Sequence, residues 1–114
     1  MINNEIREDL LITCVEGGCN YWSIFSRPEK YNNELTFSEN VFDAIKKGQK
    51  IDVFDVENQD ELLGFITMQA IENGEELLKS KRPDIISDII GDSWDAETAD
   101  VWLQYILFGE IVYG

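Results

Sequence analysis

The sequence predicts an α+β fold: a small antiparallel sheet, made of a hairpin at about 51–66 and a strand at about 21–26, covered by four to five helices. Two observations carry this reading. Ile51 to Val56 and Leu62 to Ile66 are β-prone apolar runs separated by the polar stretch Glu57-Asn58-Gln59-Asp60-Glu61, the pattern of a hairpin. From Thr67 onward the apolar residues recur with helical period as far as Phe108. With 114 residues, 44% of them hydrophobic, the chain fits one domain with a substantial core, residues 1–114.

Taken in order, the first helix starts at Asn3 or Asn4, either of which can cap it. Its stripe is Ile6, Leu10, Leu11, Cys14 and Val15, and Gly17-Gly18 ends it, one glycine taking the left-handed conformation. Tyr21 to Phe25 reads as a strand stopped before Pro28. Ser38 is the expected cap of a short helix carrying Val41, Phe42, Ala44 and Ile45, which Lys46-Lys47-Gly48 ends. After the hairpin, Met68, Ala70, Ile71, Leu77 and Leu78 form one helix, with Gly74 a weak spot inside it. Pro83 opens the next, whose apolar face is Ile85, Ile86, Ile89 and Ile90 and whose other face carries Asp84, Asp88 and Asp92. Ser93 or Asp95 opens the last helix, with Ala96, Ala99, Trp102, Leu103 and Ile106 inward and Gly109 as its stop. Ile111-Val112-Tyr113 is a closing strand or a packed tail.

Charge divides the chain. Residues 1–50 carry 8 acids and 6 bases, whereas residues 51–114 carry 15 acids and 3 bases, the latter being Lys79, Lys81 and Arg82. A net charge of −14 repels nucleic acid and anionic membrane and points to a cationic partner. No segment reads as a signal peptide, and no apolar run approaches the roughly 20 residues of a membrane helix. The expectation is a cytoplasmic protein with Cys14 and Cys19 as reduced thiols.

Histidine is absent, which removes His-based triads and His-containing metal sites. Gly17-Gly18 follows a helix rather than a strand, so it is not a phosphate loop. Cys19 sits on that turn and could be exposed, but nothing nearby would activate it. Asp95, Glu97 and Asp100, or Asp52 and Asp55, are the carboxylates that could hold Mg²⁺ or Ca²⁺, but acids at a helix start have the plainer role of capping it. No catalytic residue, metal or cofactor is expected, and no enzyme.

Two constellations remain as binding sites. The first is an acidic face. Asp84, Asp88, Asp92, Asp95 and Asp100 would share one exposed side with Asp52, Glu57, Asp60 and Glu61, and Glu75 and Glu76 would extend the array. Such a surface engages a positively charged protein and can imitate a row of phosphates. The second is Asn20-Tyr21-Trp22, where an amide and two aromatics after a glycine turn could line a small-ligand or nucleotide pocket; the plainer alternative is core packing.

Glu16-Gly17-Gly18-Cys19-Asn20-Tyr21-Trp22 and the ending Phe108-Gly109-Glu110-Ile111-Val112-Tyr113-Gly114, with Ala99-Asp100 and the Asp52 to Gly64 stretch, resemble a family of small bacteriophage and prophage proteins with an E-G-G-x-N-Y-W signature and an F-G-E-[IV]-V-Y-G terminus. Position 19, a small residue such as Ser in that pattern, is Cys here. The resemblance implies the cytoplasm of an infected bacterium. It transfers no site residue. The resulting expectation is a non-enzymatic phage inhibitor of a host protein, such as a CRISPR effector or restriction enzyme, acting through its acidic surface. The alternatives are a small-ligand or signalling-nucleotide binder and a phage accessory protein with no defence role.

Overall fold

The computed structural model describes residues 2–114. Among them, five α-helices and three strands follow the order α1 (Asn4–Thr13), β1 (Ser23–Phe25), α2 (Phe37–Lys46), β2 (Ile51–Asp55), β3 (Leu62–Ile66), α3 (Met68–Lys81), α4 (Pro83–Ile90) and α5 (Ala96–Phe108). The sheet order is β1-β2-β3 with both pairings antiparallel, which is the expected α+β class.

Helix α1 is capped by Asn3, whose Oδ1 accepts the Ile6 N–H at 2.9 Å. It does not stop on a left-handed glycine. The chain instead widens into a π-helical turn over Cys14–Gly18, closed by the Cys19 N–H donating to the Cys14 carbonyl at 3.1 Å. Gly17 has φ 162°, which is extended, and the left-handed backbone occurs at Gly48, Gly109 and Asp92. Gly18 is required for space: a Cβ there would lie 3.1 Å from the Thr13 oxygen and 3.4 Å from that of Ala96, at the start of α5.

Strand β1 is shorter than expected, because the Trp22 and Ser23 N–H groups turn back to the Cys19 carbonyl. The cap of α2 is Thr36 rather than Ser38, in a capping box with Glu39. The Ser38 hydroxyl donates instead to Glu16 Oε2 at 2.7 Å. In α3, Gly74 is a contact point with α5, not a defect: a Cβ there would sit 2.7 Å from Ile106 Cα. Pro83 opens α4, where its missing N–H costs nothing. Asp95 caps α5 through Thr98, and Gly109, at φ 73°, ends it. Ile111 to Tyr113 form a packed tail, not a strand.

One core joins residues from every helix to the inner face of the sheet. Trp22 and Trp102, at 2% and 0% exposure, are buried as expected. On β2, Ile51 and Val53 face that core, while Asp52 and Phe54 alternate to the outer face. Among the described residues no helix is long and apolar enough to cross a membrane.

Candidate functional site

The residues of both terminal motifs converge on two side chains of α5, Asp100 and Gln104, one helical turn apart. Helix α5 is apolar on nearly every side, so polar groups within it must be paired internally. Asp100 Oδ1 accepts the Trp22 indole N–H at 2.9 Å and a Gln104 Nε2–H at 3.0 Å, and the Cys19 thiol donates to it at 3.5 Å. Its other oxygen accepts the Tyr21 hydroxyl. Gln104 Nε2 also donates to the Tyr113 carbonyl at 3.0 Å, while its Oε1 accepts the backbone N–H groups of Val112 at 2.8 Å and Tyr113 at 2.9 Å. Every donor and acceptor position of that amide is occupied. The Tyr113 ring stacks on Trp22, and Phe108 tilts against both.

This arrangement quiets the chemistry of its members. Cys19, which the turn left free to be exposed, is fully buried. The adjoining Cys14 thiol and burial push the Cys19 thiol up, so it stays protonated. Burial and the Asp100 carboxylate push the Tyr21 hydroxyl up as well.

Glu75 is a second buried carboxylate. It forms an ion pair with Arg7, whose Nη2 lies 2.6 Å from Oε1, and accepts the Trp102 indole N–H at 3.0 Å. The Glu75 hydrogen bond raises the Arg7 guanidinium above its ordinary value. Each buried indole N–H therefore meets a carboxylate, as buried polar groups require.

The structure divides the acids of the expected face between surface and core. Asp84, Asp88, Asp92, Asp95, Glu57, Asp60 and Glu61 are exposed and Asp52 is half-buried. Asp100 and Glu75 are buried and are not part of an exposed face. Asp92 lies beyond the end of α4 with φ 58°, so only Asp84 and Asp88 form a helical row. Asp84 is neutralised by Arg82 at 3.1 Å, which holds its carboxyl below the usual range. Thr98 at the start of α5 does the same for Asp95. Asp88, Asp92, Glu57, Asp60 and Glu61 have no side-chain hydrogen bond or ion pair among the described residues. Burial pushes the Tyr113 hydroxyl up, and the negative charges of Asp55, Glu61 and Glu57 add to the shift.

Asn20, Tyr21 and Trp22 do not form one pocket. Trp22 is in the core, Tyr21 borders a depression of about 720 Å³ beside Gln104 and Arg82, and Asn20 borders a separate one of about 400 Å³ beside β1. Asp95, Glu97 and Asp100 do not converge either, since Asp95 caps the helix that turns Asp100 inward. The buried pairs were missed by sequence reasoning, although Asp100 and Gln104 at i, i+4 in an apolar helix were a readable signal.

No protein-family model, curated protein or solved structure matches this chain.

Proposed function

We propose that this chain is a non-enzymatic binding protein whose acidic surface occupies a cationic surface of another protein, of the kind that holds nucleic acid. The observation that carries this reading is the set of exposed carboxylates without partners at Asp88, Asp92, Glu57, Asp60 and Glu61, in a half of the chain that has 15 acids against 3 bases. Arg82, one of those bases, is already engaged by Asp84. Charges of this kind steer association and set its salt dependence. Of the residues best suited to chemistry, Cys19 and Asp100 are buried and the Tyr21 hydroxyl is engaged by Asp100, which favours binding over catalysis.

The likeness of the two end motifs to small bacteriophage proteins is the ground for taking a bacterial host protein as the partner, with a CRISPR effector or restriction enzyme as the type of target. The chain, immobilised, is exposed to bacterial lysate at about 0.05 M and about 0.5 M salt. The reading expects a specific nucleic-acid-binding protein retained at the lower concentration and displaced by nucleic acid. Retention that ignores both salt and nucleic acid would contradict it.

A further inference from the structure

The helices pack against one face of the sheet. Register places Asp52 opposite Phe65, and Phe54 between Ile24 and Leu62, so these five residues share the outer face. Leu62 and Phe65 are 51% and 48% exposed. Ile24 and Phe54 are half-buried and stand outside the set of apolar side chains packed on the core. An apolar cluster left open on a sheet face marks an interaction surface.

Its charge selects the occupant. Asp52 Oδ1 is shielded from solvent yet receives no hydrogen bond. The Lys50 ammonium lies 4.0 Å from that oxygen and 5.2 Å from the centre of the Phe65 ring. The face thus already holds one cation between a carboxylate and an aromatic ring. At its opposite end the hairpin turn supplies Glu57, Asp60 and Glu61, with no base among residues 51–66. A second copy would bring a further charge of −14 towards these acids, whereas a basic segment relieves their repulsion.

We propose that this open sheet face is the docking surface for a cationic protein segment in which arginine or lysine alternates with apolar side chains. The proposal rests on the cationic-partner reading and names the surface that serves it. The segment's apolar side chains cover Leu62 and Phe65, and its cations meet Phe54 and the turn acids Glu57, Asp60 and Glu61.

The test is a titration of the ¹⁵N-labelled protein at low salt with a capped peptide of alternating arginine and valine, against a lysine–glycine peptide of equal charge. Saturable shift changes centred on Ile24, Asp52, Phe54, Leu62 and Phe65, with weaker binding of the glycine peptide, are expected. The double variant Leu62→Thr, Phe65→Thr keeps strand propensity and should weaken the arginine–valine peptide by about tenfold. The mapping on the parent protein decides the matter even if that variant folds poorly. Saturable shifts around Asp88 and Asp92 instead would overturn this surface while leaving the cationic-partner reading standing. Equal affinity for both peptides would reduce the face to charge alone and overturn the apolar part of the proposal. Self-association that Phe65→Thr abolishes would make the occupant a second copy and likewise overturn it. No saturable binding anywhere would remove both readings.

Discussion

Trp22 and Tyr113 stack with ring centroids 4.9 Å apart and planes 9° from parallel. This contact fastens the Phe108–Gly114 tail onto the segment that follows the π-helical turn. Its geometry is set from below by α5: Asp100 holds the Trp22 indole N–H, and Gln104 holds the Tyr113 backbone. The side-chain amide of Gln104 treats the tail as a neighbouring strand would, accepting N–H and donating to C=O. The residues that give the two motifs their distinct look are thereby engaged in closing the fold.

Gln104→Ala removes four hydrogen bonds and should destabilise the protein by about 2–4 kcal/mol. Urea unfolding measures the loss. Acrylamide should also quench tryptophan emission more readily, because the released tail uncovers Trp22. A variant as stable as the parent, with unchanged quenching, would mean that the tail is held by other contacts.

Gly74→Ala should cost about 1–3 kcal/mol, the range for overpacking a close contact. The added Cβ meets backbone as well as side chain, at 2.7 Å from Ile106 Cα and 2.9 Å from Ile106 N. Trimming the partner by Ile106→Ala should therefore not rescue it. Thermal melts of the two single variants and the double variant test this, and full rescue would show that only the side chain was in the way.

The alkaline limb of the stability curve should depend on Tyr21. Burial and Asp100 raise its folded-state pKa above the unfolded value of about 10. Its contribution is fully present below that unfolded value and is lost as pH rises through the folded one. The stability difference between the parent and Tyr21→Phe should be flat from neutral pH to about pH 10 and shrink above it. A constant difference throughout would show that the hydroxyl senses no change of environment on folding.

Both thiols should be silent in the native protein. Cys14 and Cys19 are fully buried, and the Cys19 thiol is raised by its neighbour Cys14 and by burial. A thiol-labelling reagent at pH 8 should react with neither until denaturant is added, and then with both. Rapid native labelling of Cys19 would place it on the surface.

Elements with a strong period or a cap were legible in the sequence: the hairpin, α3, α4, and α5 between Asp95 and Gly109. Local punctuation misled in two places. Gly17-Gly18 reads as a left-handed stop, yet the helix ends by widening, and Gly18 serves the close approach of Thr13 and Ala96. Ser38 reads as a cap because it precedes the apolar run, although Thr36 and Glu39 already spell a capping box. The carboxylates divided for a tertiary reason. Asp100 and Asp88 look alike in composition, but Asp100 lies on a helix buried on most sides and Asp88 on one buried along Ile85 and Ile89. Glu75 lies in the core with Arg7, 68 residues away, and the Trp102 indole as its partners.

The most direct test of the acidic binding surface is the association rate with the partner retained from lysate, measured for the parent and for the triple variant Asp88→Asn, Asp92→Asn, Glu61→Gln. These three side chains are exposed and make no hydrogen bond, and asparagine tolerates the left-handed backbone at position 92. Folding should be unaffected or improved, because self-repulsion falls. The account predicts association slowed by roughly tenfold at low salt, with parent and variant converging as salt rises. Equal association rates for the two proteins at low and high salt alike would contradict it.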